Sequence, residues 1–232
     1  MDTKSYHFSS EILIKTNPLP KSMISHKTKH TATATATAIE PLSALLKRHK
    51  KHLEYNVMEQ LIECIGRQLQ SLERENKGIS SFNLDDITVF HNATTAPPAP
   101  PAVYFAITND EKIHEINEDN NLVINTPYST STIKEKNTRS APPPFHSPEF
   151  KEFIAKKTLP YEIHFKSGYY SFGLLCMYCY LSRSGAATTA TTTAATTTTA
   201  TTTLDTVVNT KIYWFLKQML QENPTERRYI CA

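Results

Sequence analysis

The residue pair best spaced for chemistry in this chain is Cys176 with Cys179, a Cys-x-x-Cys. That spacing serves a dithiol redox centre, or half of a tetrahedral zinc site whose other ligands come from a second pair. The two remaining cysteines, Cys64 and Cys231, form no second pair. A redox pair also needs an exposed helix start, whereas these thiols lie inside the apolar run from Tyr169 to Leu181. Buried core cysteines are the expectation. His49 and His52 stand at a ligand-like spacing, but Lys47, Arg48, Lys50 and Lys51 surround them and would repel a cation. His91 and His146 have no carboxylate neighbour in sequence, and Asp85-Asp86 is an isolated pair that reads as solvated or capping. No Gly-x-Ser-x-Gly, phosphate loop or dinucleotide fingerprint occurs, and with five glycines there is little material for one. The chain reads as a non-enzyme with no metal, no cofactor and no small-molecule substrate.

The elements that would position these residues are unevenly distributed. Residues 1–40 read as a disordered leader, with Glu11 to Ile14 stopped by Pro18 and Pro20, and the Thr-Ala alternation of residues 31–38 as linker. Residues 41–78 hold the strongest periodicity, with Leu42, Leu45, Leu46, Leu53, Val57, Leu61, Ile65, Leu69 and Leu72 at three- and four-residue steps. That pattern predicts one long amphipathic helix over 42–74, with Gly66 marking a close contact and Gly78 as its cap. Residues 79–147 read as a Pro/Asn/Thr-rich loop, with strand candidates at Ile87–His91 and Ala102–Ile107. Ser147-Pro148-Glu149 is a helix start, with a hydroxyl cap, proline in the first turn and an acid facing the helix dipole. The run from Tyr169 to Leu181 is apolar on all sides and predicts a central helix, too short to cross a bilayer. Helical periodicity resumes over 204–220, and Pro224 to Ala232 reads as the opening of another helix in a truncated chain.

Composition bounds the function classes. The chain has 232 residues, 39% of them hydrophobic, and residues 186–203 are Thr and Ala alone. Such tracts bury too little apolar surface to offset backbone ordering of about 1–2 kcal/mol per residue. A net charge of +3 and a pI near 8.6 are modest for a nucleic-acid binder. The basic run Lys47 to His52 could touch phosphate or an import receptor, though a solvated helix face beside Glu54 and Glu59 is the preferred reading. Nucleic acid and membrane are therefore not expected as partners. The Met1 end carries no apolar core of a signal peptide, and four cysteines make no disulfide framework, so an intracellular protein of nucleus or cytoplasm is expected.

Three pieces in order carry a family resemblance. They are the Ser-Pro-opened helix with Phe150, Phe153 and Ile154, the aromatic-rich helix ending Met177 to Arg183, and Arg227-Arg228-Tyr229-Ile230-Cys231-Ala232. Together they resemble the first two helices and the opening of the third in a cyclin box, most similar to fungal cyclins of the phosphate-response and stress cyclin-dependent kinases. The resemblance implies a mainly α protein, a partial cyclin-like helical bundle over 148–232 with long disordered and low-complexity segments. It also implies a regulatory subunit that binds and directs a cyclin-dependent Ser/Thr kinase without chemistry of its own. Its partner-binding residues would be Phe150, Phe153, Ile154, Arg227, Arg228 and Tyr229, the first three being either bundle core, the preferred assignment, or kinase-facing surface. The alternative is a largely disordered scaffold that uses the 42–74 helix to bind a partner. A third reading, a nucleic-acid-associated factor, would rest on Lys47 to His52 alone.

Overall fold

Large apolar residues recur at every second position in Ile87-Thr88-Val89 and in Phe105-Ala106-Ile107, a period that puts one face of a sheet against a core. The computed structural model, which describes residues 36–49, 52–92, 103–127, 145–181 and 207–229, forms that sheet. Strands β1 (Ala36–Pro41), β3 (Ile87–Asn92) and β4 (Val103–Ile107) pair antiparallel in the order β1-β3-β4. Ile87 stands opposite Ile107 and Val89 opposite Phe105, and all four belong to the main core. Two further antiparallel pairs are small: β2 (Lys77–Ile79) with β5 (Ile113–Glu115), and β6 (Asn121–Ile124) with β7 (Tyr161–His164).

Five helices surround these sheets among the described residues: α1 (Leu42–Arg48), α2 (Tyr55–Arg74), α3 (Pro148–Lys156), α4 (Ser167–Leu181) and α5 (Lys211–Met219). Helix α2 lays Met58, Leu61, Ile65, Leu69 and Leu72 against β4, β2 and α4, and α5 packs on α4. Helix α4 is the central element, with Phe172, Leu175, Cys176 and Cys179 all at 0% exposure. A second cluster of Leu122, Ile124, Phe150, Phe153, Ile163 and Phe165 joins α3 to the β6–β7 pair.

The architecture is mixed α/β, which corrects the mainly α, cyclin-like bundle expected from the sequence. The three sheets arise largely within stretches whose local pattern is that of loop. Short strands such as Asn121–Ile124 bury only Leu122 and Ile124, and their stability depends on a distant partner strand rather than on local pattern. The expected single helix over 41–78 is two helices. At the break, the Leu53 N–H donates to the Cys179 carbonyl at 2.9 Å, and His52 Nδ1 lies 2.7 Å from the Tyr180 carbonyl. Both satisfy carbonyls that the C-terminus of α4 leaves open, and the Leu53 N–H, bonded to Cys179, cannot also continue a helix with the residues before it. Strand β1 begins inside the segment read as linker. Ahead of β7 the Leu159–Pro160 peptide is cis. The residues after Pro224 form no new helix within the described range: a 3-10 turn (Pro224–Glu226) leads into extended backbone at Arg227. The Thr-Ala tract of 186–203 lies outside the described residues. No helix among those described is long and apolar enough to cross a membrane.

Candidate functional site

Three chain segments converge where β2 leads into β3. The connection from Ser80 to Asp86 begins with two buried serines, runs through Phe82, and ends in a 3-10 turn (Leu84–Asp86). Asp86 is the hub. Its Oδ2 accepts from the Asn83 backbone N–H at 2.6 Å and from Lys112 Nζ at 2.6 Å, and its Oδ1 accepts from Asn109 Nδ2 at 2.7 Å. The backbone carbonyl of Asp86 accepts from the Thr108 N–H at 2.8 Å, so the end of β4 is sewn to the start of β3. Ion pair and amide contact together neutralise a carboxylate that burial would otherwise penalise. Neighbouring Asp85 is exposed and accepts from Ser43 Oγ on α1. Their sequence neighbourhood marks both as solvated or capping groups. Capping is what Asp86 does, while Lys112 and Asn109 were missed because both lie more than twenty residues away.

A web of buried serines fixes this loop to α4 and to the start of α3. Ser167 Oγ donates to the Ser80 carbonyl at 3.0 Å, which commits its one proton. Ser147 must then donate to Ser167 across their 2.6 Å contact, while Ser147 Oγ accepts from the Phe150 N–H at 3.1 Å as the α3 cap. Ser171 Oγ takes the Phe82 N–H at 2.6 Å and gives its own proton to the Phe145 carbonyl. A Cβ on Gly168 would stand 2.4 Å from the Ile79 carbonyl oxygen, so only glycine lets the loop lie this close to α4. Ser81, 1% exposed, has an Oγ with no hydrogen-bond partner among the described residues. The His146 ring lies tilted against Phe150 at 4.9 Å between centroids, and burial beside Lys112 and Lys151 pulls its pKa down to about 4.

The partner-binding residues expected from sequence separate into different roles. Phe150 and Phe153 are core, at 2% and 3% exposure, and Ile154 packs at the edge of the same cluster. Arg228 is exposed. Arg227 is 0% exposed and pairs with Glu149 of α3 at 2.7 Å. Its remaining donors reach the carbonyls of Gln221 at 2.8 Å, Glu222 at 2.8 Å and Lys166 at 3.2 Å, and its guanidinium lies 4.8 Å over the Tyr170 ring. Tyr229 is half-buried, donates to the Ile62 carbonyl at 3.2 Å, and rests on Gly66, where a Cβ would meet its ring at 1.9 Å. Arg227 and Tyr229 therefore anchor the segment that follows α5, while Phe150 and Phe153 serve as core and Arg228 faces solvent, so the six do not form one surface. Cys176 and Cys179 are buried, and desolvation raises both thiols above their ordinary range, which disfavours the thiolate needed for redox or metal chemistry. No family model matches the chain, and no curated protein matches it.

Proposed function

We propose that this chain is a non-catalytic regulatory module built on the loop architecture of a protein kinase's catalytic lobe, acting by binding a protein partner. The observation that carries this reading is the meeting of three segments, in chain order, around the Ser80–Asp86 loop: Asn109 and Lys112 on Asp86, and Phe145 and Ser147 on the loop's start through Phe82, Ser171 and Ser167. In protein kinases the catalytic loop reads H-R-D-L-x-x-x-N, D-F-G follows further along the chain, and A-P-E comes after the intervening activation loop. Placing Asp86 at the Asn position puts Ser81 at the position of the catalytic base. Asn109-Asp110-Glu111 then falls at D-F-G, at the end of β4, and Ser147-Pro148-Glu149 at A-P-E. Asn109 Nδ2 touches Asp86 at 2.7 Å, the proximity expected of two groups that share a metal-bound phosphate in an active kinase.

The same alignment argues against phosphoryl transfer. A neutral serine at position 81 is no general base for a hydroxyl, and Asn109 offers a neutral amide where a carboxylate would hold the metal. Lys112 Nζ already supplies the positive charge on Asp86. The regulatory role implied by the cyclin resemblance, binding and directing a Ser/Thr kinase, remains the proposed outcome in the form that needs no all-helical box.

Purified full-length protein incubated with magnesium, radiolabelled ATP and a general kinase substrate is expected to transfer no phosphate and to show no nucleotide-dependent rise in Tm. Affinity capture from the source cells is expected to bring down a protein kinase. Magnesium-dependent phosphorylation that is lost on substituting Asp86 overturns the non-catalytic reading, and capture without any kinase overturns the partner.

A further inference from the structure

Helix α5 turns Ile212, Phe215, Leu216 and Met219 into the core, and what it leaves outside differs from the outer faces of α2 and α3. Trp214, the chain's only tryptophan, is 53% exposed, more than any other large apolar residue among those described. Lys217, one turn on, is exposed and holds its Nζ 5.2 Å from the centroid of the Trp214 ring and 5.9 Å from that of Tyr213. Lys211, one turn back, is exposed as well. At three-residue spacing on a helix such side chains are surface neighbours, so a cation, an indole and a second cation form one stripe.

Nothing among the described residues answers that charge. On α2 and α3 exposed cations pair with acids of the same helix, Arg67 with Glu63 at 2.5 Å and Lys156 with Glu152 at 2.6 Å. Among the described residues no acid lies within ion-pair distance of Lys211 or Lys217, and residues 207–221 include no Asp or Glu. Lys211 also opens α5, where the helix dipole favours an acid; α3 carries Glu149 in that turn, and α5 has none. The stripe therefore offers an indole whose burial is favourable, with a lysine on either side that a carboxylate would neutralise.

The spacing selects the shape of the occupant. Lys211 and Lys217 are six residues apart, about 9 Å along the helix axis. A helical segment with an acid three residues to either side of an apolar residue spans the same rise, whereas acid-x-apolar-x-acid in an extended strand spans about 13 Å. We infer that the exposed face of α5 docks an acidic amphipathic helix of another protein, which lays an aliphatic residue against Trp214 and sets one carboxylate beside Lys211 and one beside Lys217. Trp214 supplies most of the affinity, and the two lysines supply the choice of partner. None of the residues around Asp86 takes part, so this docking face stands or falls apart from the kinase-lobe reading.

Because Trp214 is the only tryptophan, its emission in the full-length protein reports on the stripe directly. The probes are two helical peptides of about 15 residues, centred on Glu-x-x-Leu-x-x-Glu or Lys-x-x-Leu-x-x-Lys, and phosphatidylcholine vesicles containing phosphatidylserine. Dilute free protein is expected to emit at long wavelength and to be quenched by iodide, and the acidic peptide to shift the emission to the blue and shield it. The lysine peptide is expected to bind about tenfold more weakly, the size of two exposed charge contacts, with the gap closing as salt rises. Changing both lysines, Lys211→Glu with Lys217→Glu, is expected to reverse that preference. Trp214→Ala, at an exposed position, is expected to abolish binding of labelled acidic peptide with Tm little changed. Emission already blue and shielded in dilute free protein overturns the inference, since the chain then covers its own stripe. Shielding that grows with protein concentration overturns it in favour of a second copy, and a blue shift with vesicles but not with acidic peptide overturns it in favour of a membrane surface. No binding, or equal binding of the two peptides, overturns it outright.

Discussion

At the scale of single residues, two contacts explain positions whose role is otherwise opaque. Gly66 interrupts the apolar face of α2 because the Tyr229 ring occupies the space a side chain would fill. Gly66→Ala should displace the ring, break its bond to the Ile62 carbonyl and lower stability by about 1–3 kcal/mol, as overpacking does. Urea denaturation measures this, and pairing it with Tyr229→Ala should recover part of the loss, because the two positions share one space. Arg227 is the second case. With its charge fully buried, Arg227→Met leaves the half-buried Glu149 and three carbonyls without their donor, and a cost of about 3–5 kcal/mol is expected. Arg227→Lys should not rescue it, since an ammonium cannot reach Gln221, Glu222, Lys166 and Glu149 from one planar fork. Thermal melts of the two variants should therefore fall close together.

At the scale of elements, the far edge of the sheet is closed by a side chain. Gln68 of α2, 4% exposed, donates Nε2 to the Phe105 carbonyl at 2.8 Å and accepts the Ile107 N–H at 2.9 Å, standing in for a missing strand on β4. Its Nε2 also reaches the Cys64 carbonyl of its own helix at 3.0 Å. Gln68→Leu keeps the volume but leaves a buried donor and acceptor unpaired, at about 1–3 kcal/mol each. Accelerated hydrogen exchange at the Ile107 amide, with α2 otherwise protected, is the signature to look for. The amphipathic face of α2 was plain in the sequence, as was the Ser147 cap of α3 and the apolar character of α4. The split between α1 and α2 was not, because the groups that end it, the Cys179 and Tyr180 carbonyls, lie over 120 residues away.

At the scale of the molecule, the burial of His146 gives stability a pH dependence. His146 has its pKa lowered to about 4 by burial and by nearby Lys112 and Lys151, against an ordinary 6.5. Between those values the unfolded chain binds the proton that the folded chain refuses, so stability rises with pH. The contribution is complete above about pH 6.5, is lost as pH falls toward 4, and amounts to on the order of 3 kcal/mol. His114 and His164, also lowered by burial, act in the same sense. Midpoints of urea denaturation from pH 7 to pH 4 should fall, and His146→Phe should flatten the slope.

Features that depend on neighbours within a few turns are legible in residue order: the cap at Ser147, the apolar stripe of α2, the all-round apolar α4 with its buried cysteines, the strands at Ile87 and Val103, and the need for a close contact at Gly66. Each is written in residue type at periods of two or between three and four, so local chemistry suffices. Tertiary structure alone decided the rest. Strands as short as Lys77–Ile79 and Asn121–Ile124 exist only through partners far along the chain, and Asp86 acquires its role from Asn109 and Lys112 rather than from Asp85. Arg227 and Tyr229 become anchors because α2, α3 and α4 surround them. A sequence lists donors, acceptors and apolar groups, but burial decides which must be satisfied, and burial is a property of the assembled chain.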